Sequence, residues 1–554
     1  VDDGSQDATP GVLAALPEIR YVRSPANRGF VHSCNLGAEH ARAPHLVFLN
    51  NDTLALPGWL DALLDTFRDR PDAGLVGAKL IYPDGRLQEA GGIVWQNGAA
   101  WNYGRGGDRT HPEFNYRREV DFCSGAALAV PAAVFHEAGR FDEALAPAYG
   151  EDLDLALRLR QRGFAVLYQP LSEVVHFEGV TAGTSTRRGV KAHQVGNLKR
   201  LFDRWRLALR AHRPEGQEPD REKDRGAERR VLFVDSFTPR PDQDAGSLDA
   251  FHWMRSLAAL GYKVTFAPAV DFRHAGRYTS DLQRQGIECV YGPRYASAEE
   301  FVRSRGADFD LCVFYRFEAA DALMRTVKGF APQAKRLLGL CDLAHVRLSR
   351  QAALTGSGKD ARFALETKFR ELLACAECDA VWTPSHWERD ELWRELPHAD
   401  VFVSPLVQDV RPPVQGFAER SGLGFIGGYR HAPNVDAVLY FVREILPHVV
   451  ADEPDIELRV AGSHMPPEIA GIDHLSVRVL GHVADLRAFF EDLRVFVAPI
   501  RFGAGVKGKV AASFGAGVPV VGTTLALEGM GLDAGEGALI ADDPREIARE
   551  IVRV

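Results

Sequence analysis

Three short carboxylate motifs lie in the first third of the chain. They are Val-Asp-Asp-Gly-Ser at 1–5, Leu-Asn-Asn-Asp at 49–52 and Glu-Asp-Leu-Asp at 151–154. The first two are placed like the end of a buried strand, which is the edge of an open α/β sheet where ligands bind. A carboxylate held there loses hydration unless a metal ion or a hydrogen-bonded ligand compensates it. Together the motifs predict a nucleotide site, a divalent-cation site and a general base.

Two acidic side chains in these motifs each allow two interpretations. Asp52 follows the apolar run His45–Leu49, a position that suits a hard cation bridging phosphate oxygens. A simple turn is the alternative, because Asn and Asp also favour turns. Asp152 opens a predicted helix, where it either removes a proton from a hydroxyl group or only compensates the helix dipole.

Two further side chains near that helix also have paired interpretations. Arg158 lies four residues after Asp154, so it either meets a phosphate or forms an ion pair with that acid. His176 follows the apolar pair Val174 and Val175, where a histidine is either structural or a metal ligand. Both are candidates for the pocket that the carboxylate motifs predict.

Two glycine-containing segments in the second half predict anion binding. Pro241–Ser247 opens a helix, and glycine there lets backbone N–H groups approach a phosphate. Pro499–Lys509 places glycines and two lysines between a strand and a helix, so backbone donors, the helix dipole and ammonium charge converge. We interpret the second segment as a diphosphate cradle, with a solvated glycine-rich connection as the alternative.

Composition limits the classes of function. At 554 residues the chain is too long for one core, so two to four domains are expected. A net charge of −9 argues against a dedicated nucleic-acid binder, which needs a basic surface. Seven thinly scattered cysteines fit a reducing compartment, so a cytoplasmic location is expected. Cys375 and Cys378 are interpreted as two small helical residues rather than as a metal or redox site.

The ends and the hydropathy of the chain carry two further expectations. No apolar run reaches the ~18–20 residues of a membrane span. The chain starts without methionine and stops inside a helical pattern, which predicts a fragment of a longer protein.

Apolar periodicity predicts α/β domains built on parallel sheets. In the first domain it predicts strands at Ile19–Val22, His45–Leu49, Gly74–Ile81 and Gly125–Val130, and helices at Phe30–Arg42, Pro57–Arg70 and Gly150–Arg162. Thr9 is expected to cap a first helix. Tyr82–Val120 has little periodicity and predicts a functional loop.

A basic segment and a polar segment follow. Basic residues crowd the stretch 187–210, including Arg187, Arg188, Lys191, Lys199, Arg200, Arg204, Arg206 and Arg210. Its apolar stripe predicts an amphipathic helix that either packs on the first domain or lies on an anionic membrane surface. Arg213–Arg229 has no apolar residue except alanine, which predicts a flexible linker. Alternation then resumes, with a second break near Arg411–Ser421 that contains Pro412 and Pro413.

The motifs of the first domain occur in a specific order. After residues 1–5 come Asn27-Arg-Gly-Phe30, Asn35-Leu-Gly37, Leu49–Asp52, Phe122–Ala126, Gly139–Asp142, Glu151–Asp154 with Arg158, and Val175-His176. This order resembles a family-2 glycosyltransferase of GT-A fold, and looks like the branch of rhamnosyltransferases and related polysaccharide enzymes. The resemblance covers nearly all of residues 1–195.

The resemblance implies a role for each matching residue. Contacts with the nucleotide sugar are implied for Asp2, Asp3, Asn27, Gly29, Asn51 and Arg158. Asp52 would bind Mg²⁺ or Mn²⁺ on the diphosphate, with His176 as a second contact. Asp152 would be the general base of an inverting single displacement. The strand that normally precedes Val1 in this family supplies part of the nucleotide pocket.

The motifs of the second half also occur in order. They are Pro241–Ser247, Phe425–Asp436, Val460–Gly462, Gly481–Val483, Gly503–Lys509 and Gly517–Val521. Over about residues 230–554 this order resembles a family-4 glycosyltransferase of GT-B fold. The resemblance implies donor contacts at Gly246, Arg430, Lys507 and Lys509, and a weaker one at His345. No cofactor is expected for this half.

One position departs from the second pattern. Ala512 stands where these enzymes usually carry a glutamate that holds the ribose hydroxyls of the donor. Loss of such a hydrogen-bonded contact costs a few kcal/mol of binding, as an order of magnitude. The second half therefore either uses another ribose contact or is an impaired partner.

The sequence as a whole predicts a tandem glycosyltransferase of hexosyltransferase type. The expected domains are a GT-A domain at 1–195, a basic helix and linker at 196–229, and the two Rossmann-like domains of a GT-B fold at 230–410 and 411–554. Nucleotide-sugar donors and a surface polysaccharide or lipid-linked glycan acceptor are the expected partners, with peripheral contact at the inner face of the cytoplasmic membrane as an open alternative.

Three rival interpretations remain. In the first, only the GT-A half is active and the GT-B half is a glycan- or nucleotide-binding module. In the second, the GT-B half is a sugar-nucleotide epimerase, which would interconvert free donor without an acceptor. In the third, both halves are a structural scaffold and bind no nucleotide sugar.

Overall fold

The computed structural model of the chain describes residues 1–178, 193–408, 410, 414–532 and 537–554. The chain divides into two compact units. Unit 1 contains Val1–Glu228 and Ser280–Cys289, and unit 2 contains Arg229–Thr279 and Val290–Val554. Arg187, Arg188, Lys191, Pro412 and Pro413, to which the sequence analysis assigned a basic helix and a domain break, lie outside the described residues.

Strands and helices alternate along both units in the described ranges. The strands are β1 (His45–Leu49), β2 (Thr53–Ala55), β3 (Ala73–Ile81), β4 (Leu87–Glu89), β5 (Gly92–Val94), β6 (Ala100–Asn102), β7 (Arg118–Glu119), β8 (Ala127–Pro131), β9 (Ala165–His176), β10 (Arg229–Asp235), β11 (Tyr262–Pro268), β12 (Glu288–Cys289), β13 (Leu311–Tyr315), β14 (Lys335–Gly339), β15 (Ala380–Thr383), β16 (Val401–Val403), β17 (Ser421–Ile426), β18 (Leu458–Ala461), β19 (Val477–Gly481), β20 (Leu493–Ala498), β21 (Val520–Gly522) and β22 (Ala538–Ile540). The helices are α1 (Thr9–Ala14), α2 (Phe30–His40), α3 (Trp59–Asp69), α4 (Ala132–Glu137), α5 (Glu151–Gln161), α6 (His193–Trp205), α7 (Pro219–Glu222), α8 (Ala245–Ala259), α9 (Arg277–Arg284), α10 (Ala298–Arg305), α11 (Phe317–Phe330), α12 (Ala344–Thr355), α13 (Gly358–Ala376), α14 (His386–Glu395), α15 (Ala432–Tyr440), α16 (Leu446–Asp452), α17 (Pro467–Ala470), α18 (Leu486–Glu491), α19 (Gly508–Gly515) and α20 (Pro544–Arg553).

Unit 1 is built on a mixed sheet in the order β1-β8-β3-β9-β2. The pair β3 and β9 runs parallel, whereas β8 runs antiparallel to both of its neighbours. Every residue of β3 is buried, which explains its mostly small and apolar side chains. The exception is Lys79, which forms a 3.0 Å ion pair with Glu173. The long strand β9 pairs with β2 at its far end, so Thr53 lies opposite His176. That register brings the residue after Asp52 to the end of β9.

The stretch Tyr82–Val120 is structured, contrary to the prediction of a loop. It contributes β4 to the main sheet and forms the hairpin of β5 and β6. Trp95 and Tyr116 are among the largest fully buried side chains of the described residues. The sequence showed no periodicity because strands of two or three residues are too short to display one.

The segment expected to be a flexible linker packs on unit 1. Glu222 and Lys223 are buried, and Arg213 forms a 3.0 Å ion pair with Glu222. Arg225 reaches Asp121 at 2.5 Å. The linker prediction was wrong because the segment is stabilised by ion pairs with unit 1, which its lack of apolar residues did not reveal.

Unit 2 holds two parallel α/β sheets. The first runs β11-β10-β13-β14-β15-β16 and the second runs β19-β18-β17-β20-β21-β22. All neighbouring strands in these two orders run parallel, as crossover helices require. In both sheets the chain winds outward in two directions from a central pair, so a switch point lies beside β10 and β13 and another beside β17 and β20.

Most predicted elements are confirmed within one to three residues, and two details are wrong. Residues 19–22 form no strand; the nearby contact is a single bridge between Asp2 and Arg23. The N-cap of α1 is Ala8 rather than Thr9, and no side chain caps that helix. Both errors fall in the first 24 residues, where the apolar side chains are exposed or half-buried, so their pattern does not reflect packing in a core.

Candidate active site

A cavity of about 2200 Å³ opens in unit 1 beside the ends of β1 and β9. It brings together residues from all three carboxylate motifs and from the intervening loops. The predicted site residues among its lining are Asp2, Asp3, Asn27, Gly29, Asn51, Asp52, Asp152 and His176. Asp2 and His176, which lie 174 positions apart in the sequence, therefore share one pocket.

Asp2 and Asp3 are held rigidly at one end of the cavity. Asp2 is buried and accepts hydrogen bonds from the Tyr21 hydroxyl at 2.6 Å and from the Ser5 amide at 2.8 Å, which lower the pKa of Asp2 to about 2. Asp3 accepts hydrogen bonds from the amides of Arg28 and Gly29. Both carboxylates therefore stabilise the loop walls as well as facing the cavity.

Gly29 is required by its conformation. Its φ of 90° lies in the left-handed region, and a Cβ atom there would approach Pro147 to 2.5 Å. Any other residue would strain the backbone and displace the loop that precedes α5. The glycine in the Asn27–Phe30 motif thus has a structural role at the cavity wall.

Asp52 and His176 meet at the cavity. The Oδ1 atom of Asp52 lies 3.4 Å from Nε2 of His176, and both side chains are mostly buried. Gln88 contacts Nδ1 of the same ring through its Oε1 atom at 3.1 Å. The Gln88 amide also donates a 3.2 Å hydrogen bond to Glu178, which fixes its orientation.

The orientation of Gln88 sets the tautomer of His176. Because its oxygen faces Nδ1, that nitrogen carries the proton and donates it to Gln88. In that tautomer Nε2 presents a lone pair towards the Asp52 carboxylate. Two acceptors that face each other at this distance are suited to hold a cation between them. Among the described residues, no group of three or more His, Cys, Asp or Glu side chains is placed to bind a metal by itself.

Asp152 lies at the start of α5 and is held by backbone donors. Its Oδ2 accepts a 2.9 Å hydrogen bond from the Gly125 amide, and its Oδ1 accepts one of 2.8 Å from Leu153. Glu151 beside it is buried, and its Oε2 atom has no hydrogen-bond partner among the described residues. Burial raises the pKa of both carboxyls.

The different hydrogen bonding of Asp152 and Glu151 indicates which of the two carboxyl groups holds a proton. Hydrogen bonds to a carboxylate favour its charged form, whereas an unpartnered buried carboxyl favours its neutral form. Asp152 has two such donors and Glu151 has an unpartnered oxygen. This geometry favours the proton on Glu151 and the charge on Asp152, and a charged Asp152 is the form that a general base needs.

Helix α6 fixes the loop in front of Asp152. The Asn197 side-chain amide donates hydrogen bonds of 2.8, 3.1 and 3.0 Å to the carbonyl oxygens of Leu145, Ala148 and Tyr149. Asn197 itself is buried. The described part of the amphipathic helix therefore packs on the first domain, as one of the two interpretations predicted.

Arg158 lies outside the cavity lining within the described residues. Its Nε atom pairs with Asp154 at 2.7 Å, and its Nη2 atom donates a 2.7 Å hydrogen bond to the Arg140 carbonyl. Arg204 and Trp205 of α6 also reach Asp154, at 2.8 and 3.0 Å. The geometry supports the ion-pair interpretation of Arg158 and gives no support to a phosphate contact.

Unit 2 has a separate anion cradle at the start of α19. A Cβ atom on Gly508 would lie 2.3 Å from the Cβ of Ala245, so the N-termini of α19 and α8 meet. Gly246 in α8 is less constrained, because a Cβ there would lie 2.7 Å from Nη2 of Arg316, the end of a flexible side chain. Two converging helix N-termini favour an anion in the space before them.

Two lysines accompany this cradle. Burial lowers the pKa of Lys507 to about 8, and Glu528 and Glu388 oppose that shift. Burial and the charge of Lys507 lower the pKa of Lys509 to about 8. Buried ammonium groups that lose proton affinity in this way gain stability from a bound anion.

The other predicted donor contacts of unit 2 are placed differently. His345 is buried, and its Nδ1 lies 2.5 Å from Oε2 of Glu371, so a carboxylate fixes the ring. Arg430 is exposed. Ala512 is partly buried against the core of the second sheet, so no carboxylate projects from that position.

Several residues of the unit 1 site were not predicted from the sequence. Gln88, Glu178, Tyr149 and Trp101 also line the cavity, and Glu151 was noted only as a neighbour of Asp152. Most of them lie in or next to segments without periodicity. A run of polar residues beside an unassigned stretch was the only available signal.

The fold and this site together define a glycosyltransferase. A family model described as Glycosyl transferase family 2 matches residues 1–134, and one described as Glycosyl transferases group 1 matches residues 420–554. The chain is 30% identical over 240 residues to an N-acetylglucosaminyl-diphospho-decaprenol L-rhamnosyltransferase of Mycobacterium tuberculosis, which covers 38% of this chain and 76% of that protein. The chain belongs to glycosyl transferase family 2.

Other similarities are more partial. The O-antigen biosynthesis protein RfbC of Myxococcus xanthus is 34% identical over 155 residues, which cover 26% of this chain and 12% of that one. Among solved structures, Anabaena HepE in complex with UDP-glucose is 15% identical, with 59% of this chain and 89% of that chain covered and a TM-score of 0.43. TarM is 11% identical, with 44% and 47% covered and a TM-score of 0.37. No helix in the described part of the chain is both long and apolar enough to cross a membrane.

Proposed function

We infer that the chain transfers sugars from nucleotide-sugar donors to a growing surface polysaccharide or lipid-linked glycan, with one transfer in each unit. The observation that carries this proposal is the cavity of unit 1, which joins an ionised Asp152 to the Asp52 and His176 pair. The names of the rhamnosyltransferase and O-antigen relatives support a cell-envelope glycan as product. We place the reaction in the cytoplasm, with no nucleic-acid partner.

In unit 1 the proposed reaction is a single displacement with inversion. Asp152 takes the proton of an acceptor hydroxyl while that oxygen attacks the anomeric carbon of the donor sugar. The bond from the anomeric carbon to the diphosphate oxygen breaks, and the nucleoside diphosphate leaves. The Gly125 and Leu153 amides keep Asp152 oriented, and Asn197 keeps its loop in place.

The residues of unit 1 fit a divalent cation, Mg²⁺ or Mn²⁺. Asp52 and the Nε2 atom of His176 would hold it, and the remaining positions fall to diphosphate oxygens and water, as is usual for such ions. The bound cation would neutralise charge on the leaving diphosphate. Asp2, Asp3, Asn27, Gly29 and Asn51 are proposed to surround the nucleotide at the same cavity.

In unit 2 the proposed reaction retains the anomeric configuration and needs no metal. The N-termini of α8 and α19, Lys507 and Lys509 are proposed to hold the donor diphosphate. Gly246 allows the close approach of backbone to ligand. His345, fixed by Glu371, is the proposed contact to the donor sugar.

A second candidate function is one active enzyme with a binding module. Ala512 favours it, because the position that would hold the ribose carries only a methyl group. The converging helix N-termini, the buried Lys507 and the half-buried Lys509 favour an active second site. An epimerase activity in unit 2 would convert free donor without any acceptor.

The decisive experiment uses the full chain with one site disabled at a time. Transfer from a panel of nucleotide sugars to a lipid-linked acceptor is measured for Asp152→Asn and for Lys507→Gln. Two independent sites predict that each variant loses one product and keeps the other. If Lys507→Gln leaves every product unchanged and unit 2 shows no turnover, the binding-module function replaces the two-site proposal.

A further inference from the structure

A second group of cations lies in unit 2, apart from the lysines of the cradle. It consists of Arg240, Arg277, Arg430, His464 and His482, and we call it the arginine cluster. Its residues come from the loop after β10, the start of α9 and the loops that follow β17, β18 and β19. The cluster and the cradle therefore both lie on segments that follow strands of the two parallel sheets of unit 2.

Tyr278 forms the centre of the cluster. The guanidinium of Arg277 lies 4.7 Å from the ring centre of Tyr278, and that of Arg240 lies 5.7 Å from it. The Tyr278 hydroxyl accepts a 2.9 Å hydrogen bond from Gln243. Two guanidinium groups are thus held on one aromatic side chain, which fixes them at low entropic cost.

Within the described residues, the carboxylate of Asp242 pairs with this cluster. It forms an ion pair with Arg277 and lies 3.6 Å from Nε2 of His482. The Tyr278 hydroxyl reaches the same oxygen of Asp242 at 3.3 Å. The cluster thus contains one carboxylate and three guanidinium groups, so its net charge is positive even with both histidines neutral.

Two observations show that the charges of the cluster are not fully paired within the described residues. The Nε atom of Arg240 and the Oδ1 atom of Asp242 are buried, and neither has a hydrogen-bond partner there. Burial lowers the pKa of His464, and the charges of Arg430, Arg240 and His482 lower it further. Neighbouring cations that repel one another, with a buried donor left open, are stabilised when an anion binds.

The loop geometry holds the cluster in place. His464 has a φ of 57°, a left-handed conformation that is uncommon for a residue other than glycine. The adjacent Ser463 hydroxyl donates a 3.3 Å hydrogen bond to the Gln243 carbonyl, which ties this loop to the one that carries Arg240 and Asp242. Backbone strain held by contacts from another element is typical of binding sites.

The charges of the cluster and those of the cradle shift the pKa values of different histidines. Burial lowers the pKa of His431 to about 4, and Arg347, Lys509 and Lys507 contribute to that shift. His464 instead responds to Arg430, Arg240 and His482. Since the cradle already supplies lysines and helix N-termini for one diphosphate, the arginine cluster is suited to a second anion.

We propose that the arginine cluster binds a phosphate or diphosphate group on the acceptor substrate of unit 2. Guanidinium groups present parallel N–H donors that match phosphate oxygens, which explains why arginine rather than lysine occupies this position. This proposal rests on the proposed function of unit 2 as a transferase, and it moves Arg430 from the donor to the acceptor. The acceptor of unit 2 is then an anionic, phosphorylated molecule rather than a neutral sugar.

The test is calorimetric titration of the full chain with inorganic pyrophosphate and, separately, with UDP, dTDP and GDP. Pyrophosphate is titrated in the Lys507→Gln background, so that the cradle contributes less to the signal. There, Arg240→Gln/Arg277→Gln is expected to weaken pyrophosphate binding at least tenfold, and Arg430→Gln at least threefold. In the chain with Lys507 intact, both sets of changes are expected to leave the affinity for the best nucleoside diphosphate within twofold.

Controls separate a local effect from misfolding. Arg303→Gln removes an exposed arginine that pairs with Glu299 on α10, and it is expected to change neither titration. If the double variant loses secondary structure by circular dichroism, Arg430→Gln decides the matter because its side chain is exposed and its loss leaves no cavity.

Two results would overturn the proposal. Unchanged pyrophosphate affinity in both the double variant and Arg430→Gln would exclude an anion site at the cluster. An equal loss of nucleoside diphosphate affinity would assign the cluster to the donor. Failure of the wild-type chain to bind any nucleoside diphosphate, with cluster-dependent pyrophosphate binding intact, would instead overturn the proposed donor function and leave this site standing.

Discussion

Unit 1 and unit 2 bury opposite charges in their candidate sites. In unit 1, burial raises the pKa of Glu151 and Asp152, so this pair of acids binds a proton more readily than free carboxyl groups do. In unit 2, burial lowers the pKa of Lys507 and Lys509, so the site holds cations that an anion would stabilise.

The difference teaches what each site is prepared to do. A carboxylate with two backbone donors and a protonated neighbour is prepared to accept a proton from a substrate. Buried lysines at two helix N-termini are prepared to hold a leaving diphosphate. In the proposed mechanisms, unit 1 therefore contributes a general base, whereas unit 2 contributes a binding site for the diphosphate.

The largest effect is expected from Asp152→Asn. An amide cannot take the acceptor proton, so transfer by unit 1 should fall by about a thousandfold. Donor affinity, measured by calorimetry, should change little. Glu151→Gln is the matched control: the amide mimics a protonated carboxyl, so activity at neutral pH should stay within about threefold. A loss in Glu151→Gln as large as that in Asp152→Asn would contradict the assignment of the proton.

Asp52→Ala should remove most of the activity of unit 1 together with its response to Mg²⁺ or Mn²⁺. Loss of a cation that stabilises the leaving diphosphate costs several kcal/mol, which corresponds to about a hundredfold or more in rate. Transfer is assayed with and without a chelator. Metal-dependent turnover that survives in Asp52→Ala would refute the site, whereas unit 2 activity should be unaffected.

Asn197→Ala should reduce kcat of unit 1 by about tenfold, because three carbonyls of the loop before Asp152 lose their common donor. The unfolding free energy of unit 1 should also fall by about 1–3 kcal/mol. KM for the donor is expected to change less than kcat. Lys199→Ala, an exposed change on the same helix, should alter neither quantity; equal effects of both changes would argue against a positioning role.

Ala512→Glu tests whether unit 2 binds a nucleotide donor. If the cradle binds a nucleotide whose ribose lacks a partner, a carboxylate there should tighten donor binding by up to about tenfold. The measurement is titration of the full chain with nucleoside diphosphates. No gain in affinity, with wild-type transfer by unit 2 already strong, would show that another residue holds the ribose.

The smallest effect is a change in the pH dependence of stability. Glu151 binds its proton more tightly in the folded protein than its ordinary pKa of 4.5 would give, so folding takes up a proton above that pH. The unfolding free energy of unit 1 therefore falls as pH rises from about 4.5 towards the raised pKa, by at most about 1.4 kcal/mol per pH unit. Glu151→Gln should flatten this slope in urea titrations at pH 5.5, 6.5 and 7.5. An identical slope in the variant would mean that Glu151 is ionised throughout.

The sequence predicted those parts of the site that lie at the ends of regular strands. Asp52 follows β1 and His176 ends β9, and their meeting depends only on strand order and register. The position of Asp152 was predicted because it opens a helix with clear apolar periodicity. These signals are local, so a single sequence contains them.

Residues that act through distant contacts were not predicted. Gln88 orients His176 from a strand of three residues, and Asn197 holds a loop about fifty positions earlier in the chain. The packed segment 213–228 was predicted as a linker because its contacts are ion pairs rather than apolar burial. Such interactions depend on tertiary geometry, and neither periodicity nor composition encodes that geometry.

The dependence of the Asp152 loop on α6 has a consequence for how this enzyme can be divided or exchanged between chains. The family-2 match ends at residue 134 and the motifs end at His176, so a cut near residue 195 looks harmless. Such a cut would remove Asn197, Leu201 and Trp205, the side chains that α6 buries, together with the packed segment up to Glu228. The smallest transferable module is therefore larger than its motifs, and a fusion made at the end of the motifs would carry Asp152 without the helix that holds its loop in place.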